Sequence, residues 1–269
     1  VIATASRLAE IADDVRDAID AGSNVLTSAE EAADPWAADA GLADDLHARA
    51  RAREVSVLGA GLNPGFAFDA LVLTATGACA EVRALSVQRV VDLSGFGAGV
   101  LRRIGVGHEP SAFANGVASG AISGHVGFPQ SMRLVARALG LTVDRVDREI
   151  EPTFARQDHW CPHLRVARGQ TAGFRQRYVA VVDGQPWFEA LFCGHVAPAT
   201  AGLVTRDAIT VDADPPVTLE IPGGLNAQSG SAAVLANSVT RVAAAPPGWV
   251  TVAELPPAVP IGRAGRLAV

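Results

Sequence analysis

Adjacent carboxylates at Glu30 and Glu31 are the first residues whose type and position suggest chemistry. They stand just past the short apolar run Asn24–Thr27. A carboxylate there could hold an ammonium or iminium group, or take the proton that must leave an amine before hydride departs. Neighbouring side chains point to different sides, so only one of the two is expected to enter a cleft. A solvated acidic start to a helix, favoured by the helix dipole, would explain the same pair.

The string Gly59-Ala60-Gly61-Leu62-Asn63-Pro64-Gly65 lies between a strand and a helix. Glycine lets backbone amides approach a ligand closely, and a helix N-terminus favours negative charge. The third glycine is misplaced for a dinucleotide fingerprint, so a tight turn accounts for the string at least as well as a ligand loop. His125, in Gly124-His125-Val126-Gly127, could donate to a carbonyl or carboxylate, or could serve as a hydrogen-bonded structural histidine. His159-x-Cys161-x-His163 has ligand types that suit zinc, but its spacing lacks a fourth partner, so a loop capping a sheet is the preferred reading and no metal is expected. Hydrolysis by a Ser-His-Asp triad has no support, because there is no Gly-x-Ser-x-Gly elbow.

The elements that must position these residues fall into two styles. Val1–Ser6 reads as the end of a buried strand, and Leu8, Ile11, Val15 and Ile19 recur at helical spacing before Gly22. A strand at Asn24–Thr27, a helix over 41–53 and a strand at Val55–Leu58 follow, an alternation that implies a parallel sheet. Ligands of such sheets bind beyond the carboxyl ends of the strands. Here those ends carry Thr4, Ser28–Glu31 and Gly59–Gly65. From Phe66 the pattern changes: a helix over 67–76, a strand over 84–91, a Gly-rich loop over 94–107 and a helix over 131–139. Long strands are expected over 164–170, 172–182 and 187–195, with Asp183-Gly184 as a hairpin turn. Shorter strands at 208–211 and 217–221 precede a helix over 229–244.

The expected fold class is therefore α/β: a partial parallel sheet followed by an α+β domain with an open antiparallel or mixed sheet.

Composition narrows the classes. With 49% apolar and 19% charged residues the chain has the profile of a globular protein. A net charge of −6 gives no reason to expect nucleic acid or an anionic membrane as partner. All 22 basic residues are arginines, which excludes a lysine Schiff base. Three cysteines far apart argue against a disulfide framework, and a reducing cytoplasm is expected.

Taken in order, several strings resemble one family: Ser28-Ala29-Glu30-Glu31, Leu58 through Phe66 with Asp69, Arg89-Val90-Val91-Asp92, His125-Val126-Gly127 with Ser131, and Ile221-Pro222-Gly223-Gly224. Ala232 through Asn237 and Pro246-Pro247-Gly248 complete the series. The chain resembles the 2,4-diaminopentanoate dehydrogenase group and native amine dehydrogenases, and is more distantly similar to dihydrodipicolinate reductases. The resemblance implies a Rossmann-type organisation: 1–64 is the second half of a dinucleotide-binding domain whose first β-α-β unit is absent, 65–228 a substrate and dimerisation domain, and 229–269 a C-terminal helix and tail returning to the first. It also implies a homodimer that uses NADP or NAD to aminate a ketone or aldehyde with ammonia, or to run the reverse deamination. A cyclic imine or enamine reductase is the alternative, as is a truncated remnant without activity. The resemblance implies that the catalytic glutamate is Glu30 or Glu31. It implies that Asn63 and Pro64 approach the cofactor, with Thr4 and Ser28 as further cofactor-binding candidates. Arg89, His125 and Ser231 are expected to face the substrate.

Overall fold

The computed structural model describes residues 1–261; the remainder of the expected C-terminal tail lies outside the described residues. In chain order the helices and strands open with α1 (Leu8–Asp20), β1 (Val25–Thr27), α2 (Pro35–Ala38), α3 (Ala40–Ala52), β2 (Ser56–Gly59) and α4 (Ala70–Thr76). Next come β3 (Glu81–Asp92), α5 (Ala98–Arg103), α6 (Pro110–Ser119), α7 (Phe128–Ala138), β4 (Arg145–Phe154), β5 (His159–Cys161) and β6 (Leu164–Val166). The chain continues through β7 (Thr171–Val182), β8 (Gln185–His195), β9 (Arg206–Asp214), β10 (Val217–Pro222), α8 (Ala227–Ala243) and β11 (Gly248–Val250). A 3₁₀ turn, Glu30–Ala33, links β1 to α2. Among the described residues no helix is long and apolar enough to cross a membrane.

The chain divides into two compact units. The first comprises Val1–Gly77, Gly127–Thr142 and the chain from Asn226 onward; the second comprises Ala78–Val126 and Val143–Leu225. Residues 127–142, which sequence reading places with the 65–228 segment, thus group with the first unit.

The first unit is built on a parallel sheet of order β1-β2-β11, with Ile2 bridged in parallel to Thr27. All three strands are buried throughout, as expected of a parallel sheet covered on both faces. Leu8, Ile11, Val15 and Ile19 form one stripe of α1 and pack with Leu46 and Ala50 of α3, Val25, Val57 and Trp249. The α1 helix stops where Gly22 takes a φ of +72°. β11 has only three residues and no strand pattern of its own. It joins the sheet because Gly248–Val250 pair with Ser56–Leu58, and because the Trp249 indole donates to Ala32 O at 3.2 Å.

The second unit carries a six-stranded mixed sheet of order β10-β9-β3-β8-β7-β4, in which β3 and β8 run parallel and the other pairs antiparallel. The fold is thus mixed α/β, with one parallel and one mixed sheet. The β7–β8 hairpin turns at Asp183-Gly184, both at positive φ (51° and 74°), the geometry of a two-residue primed turn. Alternation puts Phe174, Gln176 and Tyr178 on the covered face and Arg175 and Arg177 on the other.

Two expectations change here, and two further elements were not anticipated. The segment 164–170 is strand only over Leu164–Val166, in a two-stranded ribbon with β5. The Gly-rich stretch 94–107 contains α5, because Leu101 is buried and draws one turn of helix onto the core. The helix α6 was not anticipated: Phe113 is its one fully buried side chain, so its apolar stripe is faint. Neither was β4, an edge strand whose residues are all at least partly exposed and half of them charged.

Candidate functional site

Within the first unit, chemistry-bearing residues gather past the carboxyl ends of β1 and β2. Thr27 O accepts from Ala60 N at 2.8 Å, and Ser28 N donates to Ile2 O at 3.1 Å, so the loops leaving these strands start in register. Glu30 and Glu31 open the 3₁₀ turn, and their fates differ. Glu31 Oε2 accepts from Leu8 N at 2.9 Å, meeting one of the orphan amides at the N-terminus of α1. Glu31 is therefore spent on fixing a helix end.

The turn that holds Glu30 is pinned at several points. Gly59 lies so close that a Cβ there would fall 2.1 Å from Ala32 O. Asp34, with no exposed surface, accepts from Arg137 Nη1 at 3.0 Å. Burial pushes the Asp34 carboxyl above its ordinary range, against the attraction of Arg137. At the start of α7, Gly127 has a φ of +102°, and a Cβ built on it would stand 2.4 Å from Pro64 Cγ and 2.9 Å from Glu30 Cβ. Glu30 and Pro64 thus meet over a residue that must lack a side chain.

The Gly59–Gly65 string resolves mostly into packing. A Cβ on Gly59 would strike Ala32 O, and one on Gly65, at φ +120°, would fall 2.2 Å from Gly61 N. These glycines make room for protein backbone, so among the described residues the string is a tight turn and not a phosphate cradle. The Asn63–Pro64 bond within it is cis. Asp69 closes the turn: buried, it accepts from Gly65 N at 2.6 Å and from Ser131 Oγ at 3.0 Å. Ser231, expected to face substrate, has its Oγ 3.2 Å from Leu62 N and accepts from that amide. It holds the turn from the side of α8. Asn63 and Ser28 are half-buried beside the turn, and Thr4 is exposed.

Within the second unit, Arg89 lies on one row of the covered sheet face, and His125 packs against that row from the loop before α7. Register aligns Asp207, Arg89, Phe192, Gln176 and Ile150 across β9, β3, β8, β7 and β4. The His125 ring stacks obliquely on Phe192, with centroids 4.9 Å apart, and its amide donates to Gln176 Oε1 at 2.8 Å. Arg89 is 2% exposed. Its Nη1 donates to both oxygens of Asp207 at 2.8 and 2.9 Å, and its Nη2 to Leu225 O at 2.5 Å. Burial pushes the Arg89 guanidinium down and the Asp207 carboxyl up, each against their mutual attraction. Both terminal nitrogens of Arg89 are engaged by protein, so its evident work is to anchor the Leu225 segment.

His159 is buried with its ring edge-on to His195 at 6.0 Å, while Trp160 is 75% exposed under Arg165. Among the described residues no group of three or more His, Cys, Asp or Glu is arranged to hold a metal ion.

Residues 66–266 match the family described as 2,4-diaminopentanoate dehydrogenase C-terminal domain. The chain belongs to that family. It is 34% identical over 238 residues to the 2,4-diaminopentanoate dehydrogenase of Acetoanaerobium sticklandii, an overlap covering 87% of this chain and 66% of that relative. The amine dehydrogenase from Mycobacterium smegmatis has the same fold, with a TM-score of 0.84 at 23% identity over 96% of this chain and 75% of that one. The diaminopentanoate dehydrogenase family match starts at Phe66, directly after the Gly65 turn. The ties that sequence reading missed, from Leu8 to Glu31, Asp69 to Ser131 and Arg89 to Asp207, span 23, 62 and 118 residues and leave no local signal.

Proposed function

We propose that this protein is an NAD(P)-dependent oxidoreductase acting on CH–NH2 groups, aminating a ketone or aldehyde with ammonia or running the reverse deamination. The carrying observation is the division of labour between the paired glutamates. Glu31 is committed to the α1 terminus, whereas Glu30 is the member of the pair whose Cβ, like the Pro64 ring, lies against Gly127. Glu30 is accordingly the catalytic member of the pair.

In this reading the Glu30 carboxylate binds ammonium and takes one of its protons, so that ammonia can add to the carbonyl; it returns that proton to the carbinolamine hydroxyl as water leaves and the iminium forms. The same carboxylate counters the positive charge of the iminium, an electrostatic contribution made where water is partly excluded. The half-buried Asn63 and Ser28, with the Pro64 ring, suit the nicotinamide end of NADP or NAD, which when bound supplies or accepts the hydride. The pinned turns around them keep those contacts preformed. His125 is the substrate-facing donor of the second unit, while Arg89 and Ser231 act by anchoring backbone. We further propose a homodimer in a reducing cytoplasm, in keeping with three free cysteines.

The test compares Glu30→Gln with Glu31→Gln in the intact protein. Glu30→Gln should cut ammonia-dependent reduction across a ketone and aldehyde panel to a small residual rate while cofactor affinity, read by nicotinamide fluorescence, is unchanged. Glu31→Gln should keep most of the turnover and lose some thermal stability. Wild-type rates for Glu30→Gln would sink the assignment. Turnover of cyclic imines without added ammonia would move the protein to the imine-reductase class.

A further inference from the structure

We propose that Asp69 is a positioning residue for Glu30: by holding Gly65 and Ser131 together it fixes Pro64 against the start of α7, and with it the place of the Glu30 side chain. The inference rests on the reading of Glu30 given above.

Asp69 stands at the N-terminus of α4 and has no exposed surface. A serine, threonine or asparagine would cap a helix there as well, and without burying a carboxylate. What an aspartate adds is two oxygens that meet donors from separate segments. Oδ1 accepts from Ala70 N at 2.7 Å, within its own helix. Oδ2 accepts from Gly65 N at 2.6 Å and from Ser131 Oγ at 3.0 Å. One oxygen thus ties the Gly61–Gly65 turn to the first turns of α7. The same two segments meet a second time at Gly127, where the Pro64 ring and the Glu30 Cβ close over the missing side chain. With both junctions in place, neither Pro64 nor Glu30 can shift without moving α7. Ser131 is itself 1% exposed, so its hydroxyl has no solvent to turn to.

Asp69→Asn keeps the side-chain volume, and faster exchange at the Gly65 amide marks the case in which the tie between Gly65 and Ser131 is the one that opens. One of the two ends of the side chain is now a donor, and it faces either Ala70 N or the Gly65 and Ser131 pair. A donor facing a donor releases one segment. The expected result is a folded protein whose ammonia-dependent kcat falls about 10- to 100-fold. Its KM for the nicotinamide cofactor should stay within about threefold of wild type. Hydrogen exchange at the Gly65 amide should accelerate. Ser131→Ala removes one tie without introducing a donor, and should give a smaller loss of kcat in the same direction. It also decides the matter if Asp69→Asn does not fold. In a Glu30→Gln background Ser131→Ala should cause no further fall in residual turnover, whereas a merely structural residue would lower it again. Faster exchange at Gly65 with wild-type kcat in both variants overturns the positioning role. Should Glu30→Gln itself retain turnover, it is the reading of Glu30 that fails, and this is seen without any change at Asp69.

Discussion

Replacing Gly127 by alanine tests the contact on which the site turns. The residue lies at φ +102°, where an L side chain costs roughly 1–2 kcal/mol. The new methyl would also fall 2.4 and 2.5 Å from Pro64 Cγ and Cδ and 2.9 Å from Glu30 Cβ. Pro64 is a buried ring without rotamers to escape into, so the backbone must move, and forced overpacking of this kind costs about 1–3 kcal/mol. A loss of roughly 2–5 kcal/mol is therefore expected in urea unfolding followed by tryptophan fluorescence. Gly140→Ala supplies the control: its φ is +77°, it stands just past the other end of α7, and a Cβ there meets nothing within 4 Å. That variant should show only the backbone part, and the difference between the two measures the clash. Equal losses would refute the packing of Pro64 and Glu30 over Gly127.

The buried ion pair makes a second prediction. Arg89→Ala strands the Asp207 carboxylate in a site 3% exposed, and should destabilise by about 3–5 kcal/mol in the same assay. Arg89→Met combined with Asp207→Leu should cost less than Arg89→Ala alone, because no charge is left unpaired; additive losses would contradict this. The third concerns pH. His195 is buried, and its Nδ1 accepts from Ala197 N at 2.9 Å. Burial, and then His159, hold its imidazolium below the ordinary value of 6.5. The unfolded chain therefore takes up a proton as pH falls below about 6.5 that the folded protein refuses, and stability drops through that window. The buried carboxyls Asp34, Asp69 and Asp207 are raised and act in the opposite sense at lower pH. The difference in Tm between wild type and His195→Gln should thus change from pH 7 to pH 5; a constant difference would argue against the shift.

What the sequence makes legible follows from range. The stripe Leu8, Ile11, Val15, Ile19 announces α1, and Asp183-Gly184 between two apolar runs announces the β7–β8 hairpin. β4 hides because an edge strand with charged residues on both sides has no alternation to read. β11 hides because three residues acquire strand structure only by pairing with β2. The site divides in the same way. The position of the glutamate pair past a parallel strand is local and readable. The commitment of Glu31 depends on an amide 23 residues away, and that of Arg89 on Asp207, 118 residues along. A rare residue type at a strand end signals that something happens there, but not which bonds it has already made.

The return of β11 to the first sheet sets an order of assembly. Everything the second unit contains has been synthesised once Leu225 is made. The first unit, although it includes the start of the chain, waits for Trp249 to reach Val57 and the Ala32 carbonyl. At about 5–20 residues per second, the apolar stripe of α1 and the strands β1 and β2 stay without their last partner for ten seconds or more. The segments of the first unit that precede Ala78 are thus completed only after the second unit has been made. Any stop between Leu225 and Gly248 would release a chain with one unit made in full and the Glu30 turn missing the indole that pins it.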